Sequence, residues 1–160
     1  MTAHPYLLDT NVLLHLIRGR DLGRYISVTF DLANAVHRPL VSIVTHGEIG
    51  ALADRHSWGT DKQGALTKML NSLVTISLDD QAILDAYVYI DRACRSMPKG
   101  AIVLSQNDLW IASTTRAADA LLLTTDKDFL PLHPNHCLVH WIDPKLKLAG
   151  QQSGSQTTLP

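Results

Sequence analysis

Residues 5–18 read PYLLDTNVLLHLIR, and this stretch decides the fold. Its first part, Tyr6–Leu8, is a short apolar run that predicts a buried strand. Asp9 follows at once, and residues 11–18 then repeat apolar side chains at helical spacing. A strand that ends at a carboxylate and turns directly into a helix is typical of an α/β domain with a parallel sheet.

The rest of the chain alternates the same two patterns. Apolar runs predict strands at residues 6–8, 40–43, 73–76, 120–123 and 137–141. Longer segments of helical period predict helices at residues 11–18, 24–37, 45–55, 62–71, 79–94 and 108–118. A chain of 160 residues suits one domain, so we predict a single α/β domain over residues 1–149. Residues 150–160, GQQSGSQTTLP, have little to bury and are predicted to form a flexible tail.

Composition indicates an ordinary globular protein, with 46% hydrophobic and 18% charged residues. The apolar N-terminal stretch contains Asp9, Asn11 and His15 and lacks a basic segment, so a secretion signal is not expected. No uninterrupted apolar stretch is long enough to cross a bilayer. Cys94 and Cys137 match no metal-ligand spacing. These features favour a cytoplasmic protein that does not associate with membranes.

The net charge of −1 argues against binding nucleic acid by bulk positive charge. It does not exclude a nuclease, because divalent ions held by acidic residues would reverse the local sign. Small basic groups could also meet a nucleic acid, although solvated helix faces are the simpler interpretation of each. They are Arg18, Arg20 and Arg24; Arg92, Arg95 and Lys99; Lys145 and Lys147.

Four acidic residues each lie beside an apolar run: Asp9, Glu48, Asp108 and Asp126. Ligands of open α/β sheets bind at the carboxyl ends of the strands. Asp9 and Asp126 follow predicted strands, while Glu48 lies about one turn into a helix and Asp108 lies near the start of another. The sequence therefore predicts that the four carboxylates meet at one edge of the sheet, where cations would relieve their repulsion.

Each acid also has a structural interpretation. Asp9 could cap a helix after a strand, and Asp108 could cap the helix that follows it, which is compatible with metal binding. The segment 125–128 could be a polar turn before Phe129. Glu48 is harder to explain in this way, because it interrupts the apolar face of its helix and charged residues are seldom buried without a partner.

Two other groups of residues carry weaker signals. His133, His136 and His140 are close in sequence, but Pro134 prevents one helix from aligning them, so a loop with incidental histidines is favoured over a zinc site. Tryptophans can stack on bases. Trp110 and Trp141, however, stand in apolar runs and are predicted to belong to the core.

Four motifs in this order resemble the PIN-domain ribonucleases. They are LLDTNVLL with Asp9 and Asn11, VSIVTHGEIGAL with Glu48, QNDLWIAS with Asp108, and LLLTTDKDF with Thr125, Asp126 and Asp128. Together they extend from about Tyr6 to Trp141, and within the family they look most like the VapC-type toxins of toxin–antitoxin pairs. The resemblance implies a three-layer fold, with helices around a mostly parallel sheet of four or five strands. It also implies a Mg²⁺- or Mn²⁺-dependent endoribonuclease acting on RNA.

The resemblance assigns roles to these residues. Asp9, Glu48 and Asp108 are the principal metal-binding group, and Asp126 is the fourth member. Hard divalent cations prefer oxygen ligands and can activate the water that attacks a phosphodiester. Asn11 and Thr125 would orient carboxylates and water, while Asp128 could share or exchange the role of Asp126. A cognate antitoxin and a homodimer are the partners that the family implies.

Two other classes compete with this interpretation. Phosphatases with an aspartyl nucleophile also place an Asp after the first strand, but they normally carry a second Asp two residues later, where this chain has Asn11. A non-catalytic RNA-binding or interaction module would be favoured if acids were missing, and here all four are present. A housekeeping RNA-processing nuclease would use the same residues as a toxin, so the site alone does not separate them.

Overall fold

The computed structural model describes residues 4–100 and 104–146. These ranges contain five strands: β1 (Tyr6–Leu8), β2 (Leu40–Ser42), β3 (Val74–Ile76), β4 (Leu121–Thr124) and β5 (Leu138–Trp141). The same ranges contain six α-helices: α1 (Thr10–Arg18), α2 (Asp21–Thr29), α3 (Ile43–Arg55), α4 (Thr60–Ser72), α5 (Gln81–Ser96) and α6 (Gln106–Ala117). A short 3-10 helix, Lys127–Leu132, follows β4.

The strands form one sheet in the order β3-β2-β1-β4-β5, and every pair is parallel. This confirms the predicted fold class, with five strands. The chain leaves β1 toward β2 and β3, and later returns to the other side of β1 with β4 and β5. Such a reversal creates a crevice at the carboxyl ends of the central strands.

Helices cover both faces of the sheet over two separate hydrophobic cores. Alternating side chains of β1 divide between them: Leu8 belongs to the first core and Leu7 to the second. The first core also contains apolar residues of α1, α2, α3 and α4, whereas the second contains residues of α5 and α6. Because successive side chains of a strand point to opposite faces, one short apolar strand supplies both cores.

Polar residues set the starts of the helices that leave the sheet. The Asp9 carboxylate caps α1 and the Ser42 hydroxyl caps α3. Ser105 and Asp108 form a reciprocal capping box at the start of α6. These caps bind amides that have no partner within the helix, and they fix the direction in which each helix leaves the sheet edge.

The second helix differs most from its prediction. It was expected at residues 24–37, but α2 runs from Asp21 to Thr29. Asp31 adopts a left-handed conformation with φ of 43°, which ends the helical path. Phe30 and Leu32 still pack against the first core. The apolar periodicity beyond residue 29 therefore reflects packing of a turn segment rather than helix.

Part of the sequence interpretation falls outside the described residues. This applies to the predicted tail, residues 150–160, and to positions 101–103 of the connection before α6. Within the described ranges, no helix combines the length and the apolar character needed to span a membrane.

Alanine substitution of two glycines should change the stability of the fold in opposite directions. A Cβ added at Gly23 would lie 2.1 Å from the backbone oxygen of His15, where α1 and α2 cross, whereas one at Gly64 on α4 would meet nothing within 4 Å. We expect Gly23→Ala to lower the free energy of unfolding by about 3 kcal/mol, because backbone must move. Gly64→Ala should raise it by about 0.5–1 kcal/mol, since alanine favours a helix interior. Urea unfolding measures both, and equal effects would contradict the close approach of the helices.

Candidate active site

All four predicted acids line one open groove at the carboxyl ends of the central strands. The groove has a volume of about 760 Å³. Asp9 follows β1, Glu48 projects from α3, Asp108 lies in the first turn of α6, and Asp126 follows β4. The predicted gathering of these residues is therefore present in the structure.

Asp9 is the most buried member of the group, with 3% of its surface exposed. Its Oδ1 accepts a hydrogen bond from the backbone N–H of Thr10 at 2.8 Å. Its Oδ2 accepts one from the hydroxyl of Thr124 at 2.7 Å. Burial raises the pKa of the Asp9 carboxyl to about 6; the two hydrogen bonds oppose this shift, and the charges of Asp108 and Glu48 add to it.

Glu48 is half-buried and is held from two sides. The Thr10 hydroxyl donates to its Oε2, and the Asn107 amide donates to its Oε1 at 2.9 Å. Thr10 Oγ1 also lies 3.2 Å from the hydroxyl of buried Thr45. The side chain of Glu48 therefore connects the start of α1 with the start of α6 across the groove.

Asp108 combines a structural contact with a position in the groove. Its Oδ2 accepts hydrogen bonds from the Ser105 hydroxyl at 2.6 Å and from the Ser105 backbone N–H at 3.1 Å. It is thus the third helical residue of a capping box and not the N-cap. Burial raises the pKa of Asp108; its bonds to Ser105 oppose this shift, and the charges of Asp126 and Glu48 reinforce it.

Asp126 and Asp128 occupy different environments. Asp126 lines the groove, and its backbone N–H donates to the Thr124 hydroxyl at 2.9 Å. Its own Oδ1 accepts from the backbone N–H of Asp128 at 2.8 Å, which caps the short 3-10 helix. Asp128 is exposed and does not line the groove. The structure therefore places Asp126, and not Asp128, with the other three acids.

The supporting polar residues differ in part from those predicted. Asn11 lines the groove and is exposed. The threonine that contacts Asp9 is Thr124 rather than the predicted Thr125, whose backbone oxygen instead accepts a hydrogen bond from Trp141 at 3.1 Å. In the register of β1 against β4, Leu8 pairs with Leu123, so the next residues, Asp9 and Thr124, are neighbours at the sheet edge. The sequence carries no signal for this register, which is what separates Thr124 from Thr125.

Sequence reasoning also missed several donors around the acids. Thr10, Ser105 and Asn107 each donate to a groove carboxylate. All three lie at helix starts next to a predicted acid, which is the usual place for small polar side chains. Their common effect is to fix the orientation of the carboxylates.

The donor chemistry of the groove fits a hard divalent cation. Four carboxylates face it, and the ion pairs within the described residues, His4–Asp119 and Arg95–Asp91, neutralise none of them. Among the described residues no group of three His, Cys, Asp or Glu side chains is already positioned to hold a metal ion. The oxygen ligands suit Mg²⁺ or Mn²⁺.

Two tryptophans differ from their prediction. Trp58 is buried in the first core with 7% exposed, whereas Trp110 and Trp141 are only half-buried. Trp110 lines the groove and stacks on Tyr87, with ring centroids 4.0 Å apart. The prediction that Trp110 and Trp141 belong to the core was therefore wrong. An apolar run indicates burial of a segment but not of each side chain in it.

The three clustered histidines have separate surroundings. His133 Nδ1 accepts a hydrogen bond from the backbone N–H of Val139 at 3.0 Å. His136 lies 3.2 Å from the hydroxyl of Tyr89, and the ring of His140 meets Phe30 edge to face. Their side chains thus contribute to three different local contacts.

Comparison with known proteins identifies the family of this domain. A family model described as the PIN domain matches residues 6–131. No protein of curated function matches the sequence significantly.

Solved structures of similar fold include three toxin–antitoxin complexes. VapBC2 from Rickettsia felis, bound to a DNA fragment from its promoter, aligns with a TM-score of 0.69 and 19% identity over 84% of this chain and 96% of that chain. VapBC-1 from nontypeable Haemophilus influenzae aligns with a TM-score of 0.65 and 18% identity, over 85% of this chain and 96% of that chain. VapBC-5 from Mycobacterium tuberculosis aligns with a TM-score of 0.59 and 21% identity, over 87% of this chain and 99% of that chain. At these identities the likeness establishes the fold.

Burial of Asp9 predicts a specific pH dependence of stability. Its pKa rises from 3.8 to about 6 on folding, so the folded chain binds more protons between these pH values. The stability contribution of this group is greatest below pH 4 and is lost as pH rises to about 6. With EDTA present, we expect Asp9→Asn to gain stability over wild type across this range, reaching about 3 kcal/mol at pH 7. Urea unfolding from pH 4 to 7 tests this, and parallel profiles for the two proteins would contradict it.

Proposed function

This chain belongs to the PIN domain family, and on that premise we propose that it is a metal-dependent endoribonuclease, the toxin of a type II toxin–antitoxin pair. The proposed reaction is hydrolysis of phosphodiester bonds in single-stranded or structured RNA. Mg²⁺ is the proposed cofactor, with Mn²⁺ as a substitute.

One observation carries this proposal: Asp9, Glu48, Asp108 and Asp126 line the same groove. A purely structural role does not require four carboxylates to line one open cavity. Their repulsion raises the pKa of both Asp9 and Asp108 further than burial alone would. Perturbed titratable groups that converge in a cleft are typical of functional sites.

Asp9, Glu48 and Asp108 would hold the first metal ion, and Asp126 completes the group. When bound, the metal supplies an activated water and offsets negative charge on the phosphoryl oxygens. The protein supplies the orientation of the ligands. The Thr124 hydroxyl holds one Asp9 oxygen, and Asn107 holds one Glu48 oxygen. Such outer contacts tune the basicity and direction of metal ligands.

Partners are proposed from the same relationship. The similar structures described above include VapBC complexes, in which a toxin is paired with its antitoxin, and this supports a cognate antitoxin for this chain. An antitoxin segment with an Arg could pair with the groove carboxylates, since guanidinium groups bind carboxylates in bidentate fashion. We also propose a homodimer, as the family resemblance implies, and a cytoplasmic location.

The first test is cleavage of total cellular RNA by the purified protein, free of antitoxin, with new ends mapped by sequencing. We expect discrete cuts with Mg²⁺ or Mn²⁺ and none with EDTA. Asp9→Asn should lower the rate by at least about a hundredfold, because even outer-shell substitutions at metal sites cost 10–100-fold. Circular dichroism should show that this variant remains folded.

Several outcomes would reject parts of the proposal. Cleavage that persists in EDTA would exclude the metal mechanism. Absence of cleavage by a folded, metal-loaded protein would favour a non-catalytic module. In a bacterial host, expression of the wild type but not of Asp9→Asn should arrest growth if the protein is a toxin. Cleavage without growth arrest would instead favour a housekeeping nuclease.

The two acids of the last motif give a matched comparison. Asp126 lines the groove and raises the pKa of Asp108, whereas Asp128 is exposed outside it. We expect Asp126→Asn to reduce the cleavage rate by about tenfold or more and Asp128→Asn to change it by less than about twofold. Each substitution removes one negative charge, and the two sites are two positions apart in the sequence. A larger loss from Asp128→Asn would show that these residues exchange roles.

A further inference from the structure

The groove continues beyond the acids along one face of α3. Glu48 lies at its acidic end, and Ala51, Leu52 and Arg55 extend the same wall. Arg55 is seven residues, or about two turns, beyond Glu48, so both side chains lie on one helix face. A helix rises 1.5 Å per residue, which places Arg55 about 10 Å farther along the groove.

Arg55 is distinctive among the residues that line the groove. It is the only basic side chain among the described lining residues. It is exposed, and it takes part in neither ion pair of the described ranges. The negative end of the helix dipole would explain a cation anywhere in the last turn of α3. It does not explain why Arg55 lines the groove.

The wall between the two charged ends is apolar. Ala51 and Leu52 of α3 line it together with Leu14 of α1 and Leu78 after β3. A nucleotide presents the complementary pattern, with anionic phosphates separated by ribose and base. Arginine is suited to phosphate recognition because its planar guanidinium can donate two parallel hydrogen bonds. The order acid, apolar wall, cation therefore matches a strand that has one phosphate at the acids and another at Arg55.

We propose that Arg55 forms a phosphate-binding subsite for the RNA substrate, separate from the acidic centre. The proposal rests on the ribonuclease function proposed above. Phosphates follow one another at about 3.4 Å of rise in a stacked strand and farther apart in an extended one. A distance of about 10 Å thus places the contacted phosphate about one to three nucleotides from the scissile bond. Arg55 is a positioning residue that binds substrate without entering the reaction.

Kinetics on a short single-stranded RNA that contains a mapped cleavage site test this subsite. Arg55→Ala should raise KM about tenfold or more, the effect of losing a hydrogen-bonded charge, with kcat changed by less than about twofold. Arg55→Lys should recover part of the loss, because lysine keeps the charge but not the paired donors. Lys68→Ala is the matched control: Lys68 is exposed on α4, outside the groove, and its loss removes the same charge. Its KM should stay near that of the wild type.

A binding experiment locates the phosphate. In the Asp9→Asn background, each phosphate of the RNA is replaced in turn by a neutral methylphosphonate, and the affinity is measured by fluorescence anisotropy. With Arg55 present, neutralisation at one position should weaken binding about tenfold. With Arg55→Ala, the same replacement should have less than about a twofold effect, because its partner is already absent.

The outcomes separate this inference from the ribonuclease function. Wild-type cleavage with an unchanged KM in Arg55→Ala would overturn the subsite and leave the nuclease intact. An equal rise of KM in Lys68→Ala would also overturn it, since only bulk charge would then matter. A wild type that cleaves no RNA would remove the proposed function and this inference with it. Thermal unfolding of Arg55→Ala, Arg55→Lys and Lys68→Ala, expected within a few degrees of the wild type, checks the fold.

Discussion

The buried carboxylate of Asp9 is the constraint on which the sheet edge depends. A carboxylate that is 3% exposed loses most of its hydration and must be compensated by local donors. The backbone of Thr10 and the hydroxyl of Thr124 provide them. Thr124 also holds the backbone of Asp126, and the Thr10 hydroxyl contacts Glu48. The hydrogen bonds of Asp9, Thr10 and Thr124 thus hold Asp9, Glu48 and Asp126 around the groove. The buried charge of Asp9 lowers the stability of the fold at neutral pH.

Most of the architecture could be predicted because its signals are local. Each strand of the sheet has an apolar run, and the segments between them repeat at helical spacing. The helix predicted at residues 24–37 was wrong because apolar periodicity records which side chains pack against the core. Phe30 and Leu32 are partly buried against the core without being helical. The left-handed Asp31 that ends α2 gives no apolar signal. The end of this helix is therefore set by a backbone conformation that the pattern of apolar side chains does not reveal.

The candidate site, like the fold, could be predicted from the sequence only in part. The four acids could be identified because the carboxyl ends of parallel strands lie at the same edge of the sheet. A residue that follows a strand in the sequence is therefore expected at that edge. The hydrogen-bond donors of the acids could not be identified in this way, since Thr124 and Thr125 are adjacent and only the register of β4 against β1 makes Thr124 the neighbour of Asp9. Trp110 and Arg55 required tertiary contacts, because the groove they line is bounded by helices distant in sequence. Local pattern thus identified the chemistry, and packing determined its surroundings.

The hydrogen bond between Thr124 and Asp9 joins residues 115 positions apart. Contacts of such long separation carry a large entropy cost of loop closure and slow the folding of a chain. During synthesis, β1 leaves the ribosome long before β4, which must pair with it to complete the acidic edge. A partly translated chain therefore has no assembled site. Any chemistry of the acidic groove would begin only when nearly the whole domain has been made and folded.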